Sequence, residues 1–238
     1  MAPPHPHPAR PDLVRRFTRA ERALHWLLAV DVALLTVSGL GLWLGPGSNP
    51  LLGHRELVRA VHIDAAIGLL VLPVVIAGAQ PGTLARLWRE VEWFDGDDWR
   101  WLRRVLVPGP LRRGRPVPAP GRLNAGQKLN TIVVAAALVG FTATGAVMDV
   151  GAHVPPSVSD AADTWHVWLM FAGAPLVAGH IALATLLPAT RGSLRGILTG
   201  YVRRDYARRR HGRWAAAEAG PAAGTGADRG ESPPGAHP

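Results

Sequence analysis

Apolar residues along this chain do not recur at helical spacing. They gather instead into four long, nearly uncharged runs at about 24–44, 60–79, 129–148 and 165–187. Each run has about the twenty residues needed to cross ~30 Å of hydrocarbon at ~1.5 Å per residue. A helix of a water-soluble bundle keeps a polar stripe along one side, and these runs show none. The pattern predicts an all-α fold, an integral membrane four-helix bundle occupying residues 15–200. A polar tail at 1–14 precedes it, and a basic tail at 201–238 follows, expected to be disordered from about residue 215. Two runs hold one acid each, Asp31 and Asp64, and neither receives a role. No internal repeat stands out by eye.

The connections carry the charge. Arg10, Arg15, Arg16, Arg19 and Arg22 precede the first run, nine further arginines lie in 80–126, and nine more follow the fourth run. The first connection has only Arg55 and Arg59, and the third, GAHVPPSVSDAAD, has no basic residue. The bias of Lys and Arg toward the cytoplasmic side predicts that both termini and segment 80–126 are cytoplasmic, in a multi-pass protein of the plasma (inner) membrane. The formal charge of +9 is therefore a topology signal and no nucleic-acid partner is expected, despite the run RRDYARRRHGR. Within 80–126, RLWREVEWFDGDDWRWLRRVL mixes Trp with charge at helical spacing, which suits an interfacial helix or a docking surface. VPGPLRRGRPVPAPGR reads as an irregular linker. The Pro-rich start does not resemble a cleaved signal peptide. Without cysteine, the chain has no disulfide, thiol chemistry or iron–sulfur ligation of its own.

Ten histidines are present. His5, His7, His54, His153, His211 and His237 lie in tails or connections and are expected to be solvated. The other four lie in the runs, where imidazole is costly unless its nitrogens are satisfied. By depth they form two layers: His25 with His180 in the cytoplasmic half, His62 with His166 in the outer half. His166 and His180 are fourteen positions apart, which is ~21 Å and close to four helical turns. Two imidazoles at one depth on facing helices suit axial ligation of a haem iron, which then transfers electrons and has no open position. Gly39, Gly41, Gly68, Gly145, Gly173 and Gly179 would let helices or a porphyrin edge approach, as glycine also does for packing alone. A histidine in a span also serves as a packing or proton-relay group, whereas a zinc or transport site would cluster its polar groups at one depth.

RFTRAERALHWLLAVDVALLTVSGLGLWL at 16–44 and GRLNAGQKLN at 121–130 resemble the cytochrome b (gamma) subunit of membrane-bound formate dehydrogenases. VRAVHIDAAIGLL and the His166/His180 run are similar to that family's other ligand-bearing regions, so the resemblance spans about residues 14–200. The helix-start histidines are shared with the b-type cytochromes of Ni/Fe hydrogenases and thiosulfate reductases. The resemblance implies two b haems, the inner on His25 and His180, the outer on His62 and His166. It implies an iron–sulfur subunit and a molybdenum or tungsten catalytic subunit as partners, and menaquinone or ubiquinone as the electron acceptor in the bilayer. It also implies a quinone site at Asn124, Gly126, Gln127 and Lys128, beside His180. The residues alone read the same run as a polar helix start, with Asn124 as N-cap and Lys128 as anchor. A hydrogenase subunit, a histidine-using small transporter and a cofactor-free anchor are the alternative functions.

Overall fold

The computed structural model describes residues 12–45, 54–92, 94–107 and 117–219. Most of both outermost tails and of the Pro/Arg linker expected at 107–122 lies outside the described residues, with His5, His7 and His237. Four helices are long and apolar enough to cross a membrane: α1 (Arg19–Leu44), α2 (Arg55–Ala79), α5 (Ala125–Asp149) and α6 (Pro156–Thr185). They coincide with the four runs, except that α6 starts nine residues before the apolar stretch. Pro156 in the first turn lacks only a donor the helix does not use there, and polar SDAAD continues the helix beyond the apolar zone. Little of these spans is covered by the chain itself. Val74 and Val139 are each 70% exposed, as side chains facing lipid are.

The spans form two hairpins, α1 against α2 and α5 against α6. Between the hairpins, Arg59 of α2 pairs with Asp149 of α5 at 2.6 Å, and Trp43 of α1 meets Phe171 of α6 edge-on at 5.4 Å. Segment 80–107 is two amphipathic helices, α3 (Thr83–Glu92) and α4 (Gly96–Leu106), rather than one. The break follows from Asp95, whose side chain caps α4 in a reciprocal box with Asp98. Trp88 and Trp99 stay exposed, as interfacial helices require.

The two hairpins begin alike, which reading the sequence had not shown. Thr18 caps α1 in a box with Glu21, and Asn124 caps α5 in a box with Gln127. Two residues before each cap stands an arginine, and the two arginines bond reciprocally. Arg16 Nη2 donates to the Arg122 carbonyl at 2.8 Å and Arg122 Nη1 to the Arg16 carbonyl at 2.9 Å. Arg16 also reaches Gln127 Oε1 at 3.3 Å, while Arg122 reaches Glu21 Oε1 at 2.9 Å. Each guanidinium thus holds the capping box of the other hairpin.

The described residues before α1 and after α6 are folded beyond expectation. Leu13–Arg15 (β1) pairs antiparallel with Tyr201–Arg203 (β2), Val14 opposite Val202. Three short helices, α7 (Arg191–Thr199), α8 (Arg204–Arg210) and α9 (Gly212–Glu218), complete a cap over the arginine-rich end. Its core is Val14, Val202, Ala207, Trp214 and Ala215. The disorder expected from about residue 215 therefore does not hold for 215–218, because Trp214 and Ala215 are buried there. His211, expected to be solvated, is 1% exposed.

Candidate functional site: two histidine pairs in the bundle

The four span histidines meet as two pairs. His25 of α1 and His180 of α6 have ring centres 6.3 Å apart with planes at 45°. His62 of α2 and His166 of α6 have ring centres 6.2 Å apart with planes at 67°. α6 contributes to both pairs, through residues on one side of the helix. The first is here called the near pair, closer to the arginine-rich end, and the second the far pair.

Two imidazoles on opposite sides of one iron, each nitrogen about 2 Å from the metal, have ring centres about 6 Å apart. Both pairs match that separation. Among the described residues, no three His, Asp or Glu side chains gather as a metal site on their own. A site offering two imidazoles suits an iron whose remaining positions are filled by a porphyrin. The surroundings of the rings fit as well. A Cβ on Gly39 would stand 3.1 Å from His62 Cε1, and one on Gly145 would stand 3.4 Å from His166 Cε1. Glycine at both places keeps the space beside each ring open.

The far-pair rings are oriented by hydroxyls. His62 Nδ1 lies 2.9 Å from Ser38 Oγ, and His166 Nδ1 lies 2.8 Å from Thr144 Oγ1. Sequence reasoning missed both hydroxyls, although Ser and Thr beside Gly recur at the same distance from the two helix caps. In the near pair, His25 Nδ1 is buried with no hydrogen-bond partner among the described residues, and His25 stacks edge-on against Trp26 at 5.2 Å. Asp31, between the two layers on α1, is buried against α2, where a Gly68 Cβ would come within 2.9 Å of its Oδ1. Asp64 is exposed.

The Asn124–Lys128 run lies at the start of α5 and is densely bonded. Asn124 Oδ1 accepts from Gln127 N at 2.9 Å, and Gln127 Oε1 accepts from Asn124 N at 3.0 Å. Gly126 gives room to Trp101, whose ring would lie 3.3 Å from an added Cβ. Lys128 is buried and donates to Asp98 Oδ2 at 2.6 Å. The run's contacts go to Arg16, Asp98 and Trp101, while His180's ring contact goes to His25.

Charge at this end is compensated unevenly. Burial opposes the Arg122 cation, yet its bonds to Glu90 and Glu21 outweigh that and raise its pKa. Arg16 is buried among neutral partners, Ser193 Oγ at 3.0 Å included, and burial brings it down to about 10. His211 donates from Nδ1 to the Gly121 carbonyl at 2.9 Å. Burial first, and the Arg16 charge second, push its ring down to about 3.

The sequence is similar to those of known proteins. The chain is 25% identical over 214 residues to the formate dehydrogenase cytochrome b556(fdo) subunit of Escherichia coli strain K12, covering 86% of this chain and 93% of that one. The same figures hold for the corresponding subunit of Escherichia coli O157:H7. Residues 16–200 match the prokaryotic cytochrome b561 family, a match that takes in all four spans and all four paired histidines. The chain therefore belongs to the prokaryotic cytochrome b561 family and is a multi-pass, b-type cytochrome electron-transfer subunit.

Proposed function

We propose that this chain binds two b haems and passes electrons between a membrane-bound dehydrogenase and quinone. The observation that carries this reading is the pairing itself: two sets of imidazoles, ring centres 6.3 and 6.2 Å apart, shared by one helix. His25 and His180 would hold one haem, His62 and His166 the other. Bound there, each haem supplies a one-electron carrier without an open iron position. The chain holds the imidazoles at fixed depth, excludes water with apolar helices, and anchors its partner in the bilayer. The arginine bias supports a cytoplasmic position for the capped end and for both termini.

The partner proposed is a formate dehydrogenase, with an iron–sulfur subunit and a molybdenum or tungsten subunit, in keeping with the relatives' names. The quinone, menaquinone or ubiquinone, would meet the start of α5 near His180. There Gln127 has its oxygen occupied, so its amide N–H groups face the role of donor. A quinone carbonyl gains negative charge on reduction, and such donors stabilise it. Lys128 and Asn124 would frame the same site, and Gly126 would keep it open.

The test is a dithionite-reduced minus oxidised spectrum of the purified protein. A b-type alpha band near roughly 560 nm is expected, and its absence would refute the reading. His25→Ala and His62→Ala should each remove one haem and spare the other. Retention of both haems in either variant refutes the pairing.

A further inference from the structure

The two helix hairpins meet their far-pair histidines in the same way. Ser38 stands twenty positions after the cap of α1, and Thr144 twenty positions after the cap of α5; a glycine follows each. The Ser38 hydroxyl donates to the Leu34 carbonyl at 2.6 Å, and the Thr144 hydroxyl donates to the Gly140 carbonyl at 2.8 Å. A hydroxyl has one proton. With that proton on a helix carbonyl, each oxygen can only accept from the imidazole 2.9 or 2.8 Å away. Both far-pair rings therefore carry hydrogen on Nδ1 and keep the Nε2 lone pair for a ligand role. The near pair is built differently, since His25 Nδ1 is buried with no hydrogen-bond partner among the described residues.

We infer that Ser38 and Thr144 are positioning residues that lower the potential of the far haem relative to the near one. This rests on the two-haem reading above. A ligand imidazole that donates its second N–H becomes more basic, and a more basic ligand favours the ferric iron. The far pair has this support on both sides, and His25 has none from the described residues. Electrons entering at the far end then run downhill toward the arginine-rich end. The duplicated hairpin start thus supplies the same hydroxyl twice for one haem, while the near pair departs from the repeat: Thr131 occupies the place on α5 that His25 holds on α1.

Optical redox titration of the holoprotein in its membrane, with low-temperature electron paramagnetic resonance, tests this. Ser38→Ala and Thr144→Val should each shift the lower-potential haem upward and leave the higher-potential haem in place. Ser38→Thr and Thr144→Ser should restore the original titration. Selective loss of the lower-potential haem in Thr144→Val, regained in Thr144→Ser, supports the same assignment. Unchanged potentials in the double variant, or movement of the higher-potential component, overturn it while the two-haem reading stands. An unaltered protein without haem overturns both.

Discussion

Acidification should unlatch the cap at the arginine-rich end, and the size of the effect follows from His211. Its ring is 1% exposed and bonded to the Gly121 carbonyl, with Arg16 and Arg210 as nearby cations and Tyr206 and Trp214 as neighbouring rings. In the closed cap its pKa is about 3, against 6.5 when the ring is free. Between those values the open state binds more protons than the closed one. The stabilisation is therefore present above 6.5 and is lost as the pH falls toward 3. Each unit corresponds to about 1.4 kcal/mol, so going from pH 7 to pH 5 removes about 2 kcal/mol, a roughly 25-fold larger open population. Amide hydrogen exchange of residues 201–218, corrected for the intrinsic pH dependence of exchange, reads that population directly. His211→Gln keeps an N–H donor for Gly121 but does not titrate, so its corrected protection should be the same at both pH values. Equal corrected protection of Val202 and Ala207 in the unaltered protein at pH 7 and pH 5 would refute the reasoning.

Other substitutions probe the packing around the site. Lys128→Ala removes the cation 2.6 Å from buried Asp98 and should cost about 3–5 kcal/mol, whereas Lys128→Met with Asp98→Asn should recover most of it; thermal unfolding in detergent measures both. Gly192→Ala would drive a Cβ into the Tyr206 ring, costing about 1–3 kcal/mol and raising exchange in the cap. Gly39→Ala would press on His62 Cε1 from 3.1 Å, so the reduced spectrum should lose or shift one haem component only.

The spans were legible because hydrocarbon imposes a length and a composition that no other environment does. The histidine layers were legible for a related reason: rise per residue converts sequence position into depth, and His25, His62, His166 and His180 paired on that scale. The cap was not legible. Its core joins Val14 to Val202 and Trp214, across nearly the whole chain, and short basic segments carry no periodic signal of such contacts. Arg16 and Arg122 were counted only as topology charges, yet Arg16 is among the most buried polar residues. The duplicated start was within reach, since Arg-x-Thr-x-x-Glu and Arg-x-Asn-x-x-Gln share one spacing. It escaped because the residues match in role rather than in identity. Ser38 and Thr144 escaped for the same reason, each looking like an ordinary hydroxyl returning its proton to the helix.

Arg16 also sets an order of events during synthesis. It is made early, but its partner Ser193 lies 177 residues later. At about 5–20 residues per second the waiting time is roughly ten to thirty-five seconds. The last span ends at Thr185, before Ser193 is made. Arg16 can therefore meet the Arg122 carbonyl and Gln127 early, but the cap, with Leu13–Arg15 paired to Tyr201–Arg203, cannot close until every span of the bundle has been made.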